Sequence, residues 1–218
     1  MTGGADRAPG THEFEVTAAP VAAFRHLTLC CFAIKEIPMK RFLLVMTLMG
    51  ATCALPAFAS LAVGAKAPLF TAEASLGGKV YSFSLAKALR KGPVVLYFYP
   101  AAFTKGCTIE AHDFAEAMDK YHALGATVIG VSHDNIATLK KFSVSECRSK
   151  FPVAADTNQK IMKAYDAVLP MNTQYANRTS YVIVPDRTII YTYTNLNPDR
   201  HVANTLAALR RWESQHKR

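Results

Sequence analysis

The chain has 218 residues, half of them hydrophobic and 19% charged, with no repeat or biased tract. That balance allows one substantial core and excludes disordered and collagen-like classes. Its formal charge of +9 is spread over scattered Lys and Arg, with no basic run interleaved with aromatics, so it reads as solvated surface and not as a nucleic-acid interface.

Residues 1–38 mix Gly, Pro, Thr and charges without a sustained period and read as a poorly ordered tail or a stretch upstream of the true start. At Met39 the pattern changes: Met39-Lys40-Arg41 is a basic n-region, residues 42–55 are apolar, and Ala57-Phe58-Ala59 is a small-x-small cleavage pattern. Together, residues 39–59 make a secretory signal peptide. The apolar run falls short of the ~20 residues that span a bilayer and ends at Pro56, which argues against a transmembrane anchor. Met1 and Met39 both stand as candidate starts. Cleavage after Ala59 leaves a domain of residues 60–218, exported to a compartment such as the bacterial periplasm, which meets the membrane only through an uncleaved leader. Of the five cysteines, Cys30, Cys31 and Cys53 go with the leader, while Cys107 and Cys147 remain where thiols can be oxidised.

Strand-like runs at 69–75 and 80–83 flank Gly77-Gly78 and read as a hairpin. Ser84 caps a short helix through Leu89. Val94-Val95-Leu96-Tyr97-Phe98 is continuously apolar, as in a central strand covered on both faces. A helix follows over 105–124, with Phe114, Met118, Tyr121 and Leu124 on its core face and Gly125 at its end. Residues 127–131 form a second central strand. Asp134 or Asn135 then caps a helix carrying Ile136, Leu139, Phe142 and Cys147, which Pro152 stops. Asp156 starts another helix through Ile161, Met162 and Tyr165. Strands at 179–184 and 188–194 flank the turn Pro185-Asp186-Arg187. The last helix opens at Asn197-Pro198 and buries Val202, Leu206, Leu209 and Trp212. The order describes an α/β sandwich with a mixed sheet.

The chemistry falls where the first central strand meets its helix. Cys107 sits in the first helical turn, facing N–H groups without intrahelical acceptors and the positive end of the macrodipole. Such a position favours a thiolate, the nucleophilic form. Its neighbours Lys105, Gly106 and Thr108 are small or polar, unlike the setting of a buried structural thiol. Thr104, three residues earlier, can cap the helix and point its hydroxyl at a small ligand beside the sulfur. Pro100 fixes the backbone entering the loop and can shield the sulfur from bulk water, or simply stops the strand.

The stretch Tyr97-Phe98-Tyr99-Pro100-Ala101-Ala102-Phe103-Thr104-Lys105-Gly106-Cys107-Thr108-Ile109-Glu110 resembles the active-site loop of peroxiredoxins, with their P-x-x-x-T-x-x-C motif. The Cys-Thr-x-Glu continuation is most similar to the bacterioferritin comigratory, or Q-type, subfamily. The resemblance implies a thioredoxin-like fold over nearly all of residues 61–215. It implies a thiol peroxidase in which Cys107 attacks hydrogen peroxide or an organic hydroperoxide, without metal or cofactor, and a thioredoxin-like reductant restores it. It assigns Arg178, at the head of a late strand, to complete the site, and Glu110 to orient the loop by pairing with an arginine. Many members of the subfamily carry a resolving cysteine five residues after the first; here that position is His112. Cys147 is then the candidate resolver, and Glu146, Arg148 and Lys150 around it suggest an accessible, electropositive setting. A one-cysteine peroxidase recycled by an external thiol and a thioredoxin-fold thiol-binding protein are the alternatives. The C-x-x-C of a disulfide reductase is absent from the sequence. Monomer and dimer both remain open.

Overall fold

The computed structural model describes residues 60–216. The tail and signal-peptide readings of residues 1–38 and 39–59 lie outside the described residues. Seven strands form one mixed sheet: β1 (Thr71–Leu76), β2 (Lys79–Ser84), β3 (Val94–Phe98), β4 (Thr127–Ser132), β5 (Val153–Ala155), β6 (Thr179–Ile183) and β7 (Ile189–Thr194). Their spatial order is β2-β1-β5-β4-β3-β6-β7. The helices are α1 (Leu85–Leu89), α2 (Lys105–Ala123), α3 (Ile136–Ser145), α4 (Lys160–Ala164) and α5 (His201–His216), the last preceded by a 3-10 turn at Pro198–Arg200.

β3 is the spine expected from its sequence: all five residues are buried, and alternate side chains serve opposite faces. Val95 and Tyr97 pack with Phe114, Met118, Phe142 and Leu209, from the layer of α2, α3 and α5. Val94, Leu96 and Phe98 pack with Leu85, Leu89 and Met162, from α1 and α4. Gly77 and Gly78, at φ +55° and +78°, close the β1–β2 hairpin, and two successive positive φ values are what a tight hairpin turn of this kind requires.

Several local details depart from the sequence reading. Pro152 is followed by β5, a three-residue strand parallel to β4 and antiparallel to β1; Val-Ala-Ala is too short to display a period, and pairing on both sides makes the strand. The next helix starts at Lys160. Asp156 serves it from outside, its carboxylate accepting the N–H groups of Ile161 at 3.1 Å and Met162 at 2.8 Å. Asn135, not Asp134, caps α3. Trp212 is half-buried.

Topology gathers the site at one end of the sheet. β6 runs antiparallel to β3, with Phe98 opposite Thr179, so the residue entering β6 lies beside the chain leaving β3. β7 returns antiparallel to β6, pairing Thr194 with Thr179, and the link into α5 leaves from the same end. The loop after β3, Arg178, Asn195-Leu196 and the head of α5 are thereby brought together.

Candidate active site

Residues 99–104 form a held loop. The Asp134 carboxylate accepts the Ala102 N–H at 2.7 Å and the Ser132 hydroxyl at 2.8 Å, fixing the loop to the end of β4. Phe103 adopts φ 64°, and its ring meets Phe142 of α3 edge-on at 5.2 Å between centroids. Thr104 has the extended backbone of an N-cap, and its carbonyl accepts the Thr108 N–H at 2.9 Å. Its hydroxyl makes no capping bond, contrary to the sequence reading: its proton goes to the Ala101 carbonyl at 3.0 Å, and the exposed oxygen keeps its lone pairs as acceptors. Pro100 is half-buried at the loop entrance.

Cys107 lies in the first turn of α2 and is only 2% exposed. The Arg178 Nη2 donates to its Sγ at 3.5 Å. A Cβ at Gly106 would stand 3.1 Å from that same Nη2, so the absence of a side chain there lets the guanidinium close on the sulfur. Arg178 is itself buried, with Nη1 donating to Glu110 Oε2 and Nε donating to the Leu196 carbonyl at 2.9 Å. Each edge of the guanidinium thus has a separate acceptor, a geometry that a lysine ammonium cannot reproduce. Glu110 is fully buried. Burial pushes its carboxyl up to about 8, against the opposing pull of Arg178.

The structure therefore brings Cys107, Arg178 and Glu110 into direct contact and places Pro100 and Thr104 on the loop that leads into them. Cys147 belongs to the same apolar cluster as Cys107, with Tyr97, Tyr99, Phe142 and Phe151. It is fully buried, and both thiols are free. Its expected accessible, electropositive setting is corrected: burial, aided by the charge of Glu146, pushes the Cys147 thiol well up. The charged neighbours turn outward, where Glu146 pairs with His112 and Arg148 pairs with Glu116, each at 3.0 Å, while the sulfur turns into the core.

His201 and Ser180 escaped the sequence reading. His201 is fully buried at the head of α5. Its Nδ1 lies 2.8 Å from the Ser180 Oγ and 3.6 Å from Glu110 Oε1, and its Nε2 lies 2.9 Å from the Asn195 carbonyl. The available signal was a histidine just after the Asn197-Pro198 helix start, at the end of the sheet where Arg178 was expected.

The AhpC/TSA family model matches residues 63–192. A chloroplastic peroxiredoxin Q from Triticum aestivum is 35% identical over 144 residues, covering 66% of this chain and 64% of that protein. One from Sedum lineare is 32% identical over 153 residues, covering 70% of this chain and 80% of that protein. The crystal structure of peroxidoxin BcpB from Mycobacterium tuberculosis superposes with a TM-score of 0.62 at 28% identity, covering 68% of this chain and 96% of that one. The chain spans just under two thirds of the length of the wheat relative. On the extent of the family match and the Sedum lineare relative, joined to a loop with proline, threonine and cysteine in the peroxiredoxin spacing, the chain belongs to the AhpC/TSA family, as a peroxiredoxin of the Q type.

Proposed function

We propose that this protein is a thiol-dependent peroxidase in which Cys107 reduces hydrogen peroxide and organic hydroperoxides. The Cys107 thiolate attacks one peroxide oxygen as the O–O bond breaks. Sulfur is oxidised to a sulfenic acid, and the other oxygen leaves as hydroxide or alkoxide and takes a proton to become water or an alcohol. The observation that carries this reading is the Arg178 guanidinium, held between Cys107 Sγ at 3.5 Å and the Glu110 carboxyl group. A fixed cation beside the attacking sulfur stabilises charge as it moves onto the departing oxygen. The Thr104 oxygen and the first-turn N–H groups of α2 orient the peroxide, Pro100 limits water at the loop entrance, and Glu110 orients Arg178.

In this reading Cys147 resolves the sulfenic acid. Its thiol attacks the oxidised sulfur, water leaves, and a Cys107–Cys147 disulfide forms for a thioredoxin-like dithiol to reduce. Both cysteines are buried and the Cys147 thiol is pushed up, so the step needs local opening of the first turn around Cys107, of the segment after α3 or of both, to bring Cα atoms within the roughly 7 Å that a disulfide requires. The same burial favours the second reading, direct reduction of the Cys107 sulfenic acid by an external thiol. Peroxide treatment of the reduced protein tests both: stoichiometric consumption abolished by Cys107→Ser is expected, followed by a Cys107–Cys147 peptide in non-reducing maps. Consumption that survives Cys107→Ser rejects the peroxidase assignment, and sulfenic or intermolecular products alone reject Cys147 as the resolver.

The basic-then-apolar stretch at 39–59 supports export, with a mature domain that begins at Ser60 in a periplasm-like compartment. N-terminal sequencing of the exported protein is expected to begin at Ser60; a chain that keeps residues 39–59 rejects cleavage there.

A further inference from the structure

We infer that His201 is a positioning residue for the peroxidatic site, a neutral imidazole that holds Arg178 against Cys107 from behind. This rests on the peroxidase reading above, and His201 lies beyond the 63–192 stretch of the family match.

Hydrogen-bond chemistry fixes the tautomer. The Asn195 carbonyl, 2.9 Å from Nε2, can only accept, so Nε2 carries the proton. In the uncharged ring Nδ1 then offers a lone pair, which accepts the Ser180 hydroxyl at 2.8 Å. The Tyr193 ring meets the imidazole edge-on at 4.8 Å between centroids and fixes its plane. Full burial, with the Arg178 charge nearby, depresses the imidazole to about 4, in keeping with a ring that stays uncharged.

Two arms run from this ring to Arg178. The first passes through the turn leaving β7. His201 binds the Asn195 carbonyl, the Asn195 N–H donates to the Arg178 carbonyl at 3.1 Å, and the next carbonyl, Leu196, accepts from Arg178 Nε at 2.9 Å. His201 therefore holds the turn that grips Arg178 by both backbone and side chain. The second arm passes through Glu110. Its Oε1 lies 3.6 Å from Nδ1 and has no hydrogen-bond partner among the described residues, while Oε2 takes Arg178 Nη1. An imidazolium proton on Nδ1 would draw Glu110 away from Arg178. A lone pair there makes no such claim, so Glu110 Oε2 stays with Arg178 Nη1 while the other edge of the guanidinium is turned to the sulfur.

A double-mutant cycle on the full chain tests the assignment. His201→Ala should slow reaction of Cys107 with hydrogen peroxide between about tenfold and a hundredfold, the scale of a small misplacement of a reacting group. In an Arg178→Gln background the same change should cost nothing further, since the residue it acts through is gone. His201→Gln, whose amide reaches the Nε2 position and can donate to the Asn195 carbonyl, should restore most of the rate. An unchanged rate in folded His201→Ala, or an equal loss in both backgrounds, overturns the proposal. If His201→Ala does not fold, His201→Asn, too short to reach the Asn195 carbonyl, takes its place in the cycle with the same two readings. Thiolate absorbance across pH, taken as the difference between each variant and its Cys107→Ser counterpart, should move to higher pH in His201→Ala and return in His201→Gln. Absence of that movement also overturns the proposal. This readout involves no peroxide, so a wild-type chain that fails to consume peroxide defeats the peroxidase reading and leaves the His201 assignment to be judged on absorbance alone.

Discussion

A buried imidazole, a buried carboxyl and a buried guanidinium in one cluster make opposite demands on protons, and those demands are readable in stability. Burial depresses His201 from its ordinary 6.5 to about 4. Between those values the unfolded chain holds a proton that the folded chain does not, so stability rises with pH across the window. The His201 contribution is complete above pH 6.5 and is lost as pH falls to about 4. Glu110 has the opposite sign: with its carboxyl raised from 4.5 to about 8, its contribution is complete below pH 4.5 and is lost as pH rises to about 8. The two slopes oppose each other where they overlap, and wild type must be compared with His201→Gln to isolate the imidazole. In denaturant unfolding at a series of pH values, the stability of wild type relative to His201→Gln should climb from pH 4 to 6.5 and then level. A total rise of roughly 3 kcal/mol follows, at about 1.4 kcal/mol for each tenfold change in proton affinity. A difference that falls with rising pH would mean an imidazolium paired with Glu110 and would sink the neutral assignment.

At the scale of elements, β3 and α2 were legible because each carries its own pattern: a continuous apolar run for a strand buried on both faces, and Phe114, Met118 and Tyr121 at helical spacing. Cys107 was legible for the same reason, since its place in the first turn of α2 is local. The contact from Arg178 to Glu110 was within reach only through resemblance, because it depends on the antiparallel register that sets Phe98 opposite Thr179. No stretch of sequence displays that register by itself. His201 was hidden one step further, behind both the β6–β7 register and the turn at Asn195-Leu196. Cys147 was misread because the charges of Glu146, Arg148 and Lys150 described the surface of the segment and not the direction of its sulfur. The geometry there suits the opening that the proposed resolving role requires. Arg148 and Ser149 hold φ values of 50° and 56°, a left-handed backbone that costs non-glycine residues roughly 1–3 kcal/mol each. The pairs from Glu146 to His112 and Arg148 to Glu116 are of the partly or fully exposed kind worth about 0–1 kcal/mol. What keeps Cys147 in place is chiefly its apolar burial, beside a backbone bond from its N–H to the Phe142 carbonyl at 3.0 Å. Phe103 packs on Phe142 from the loop before α2, so in the proposed cycle movement of that loop would loosen the residue from which the Cys147 segment hangs.

On the scale of the whole domain, the candidate site and the N-terminal strap lie toward opposite ends of the sheet. The site occupies the end where β3 finishes and β6 begins, whereas residues 60–68 are strapped along β6 and β7 toward the far hairpin. The Leu61 N–H donates to the Tyr181 hydroxyl at 3.3 Å, the Gly64 N–H to the Ile189 carbonyl at 2.8 Å, and the Ala67 N–H to the Arg187 carbonyl at 2.8 Å. Lys66 pairs with Asp186 at 3.0 Å, and Leu61 packs on the core beneath α1 and α4. A chain beginning at Ala65 loses half-buried Leu61 and three hydrogen bonds to β6 and β7, those from the Leu61 and Gly64 N–H groups and the one from the Thr192 hydroxyl to Ser60 at 3.1 Å. Relative to a chain beginning at Ser60, it should be less stable by roughly 3–4 kcal/mol, at about 1 kcal/mol for each hydrogen bond and for the apolar contact. The peroxide reaction of its folded fraction should be unchanged, because no partner of Arg178, Glu110 or His201 is removed. Denaturant unfolding and the rate constant for Cys107, measured on the same two chains, separate the effects. A rate that falls with the stability would mean that the strap is felt through β6 at Arg178, and that the two ends of the sheet act as one unit.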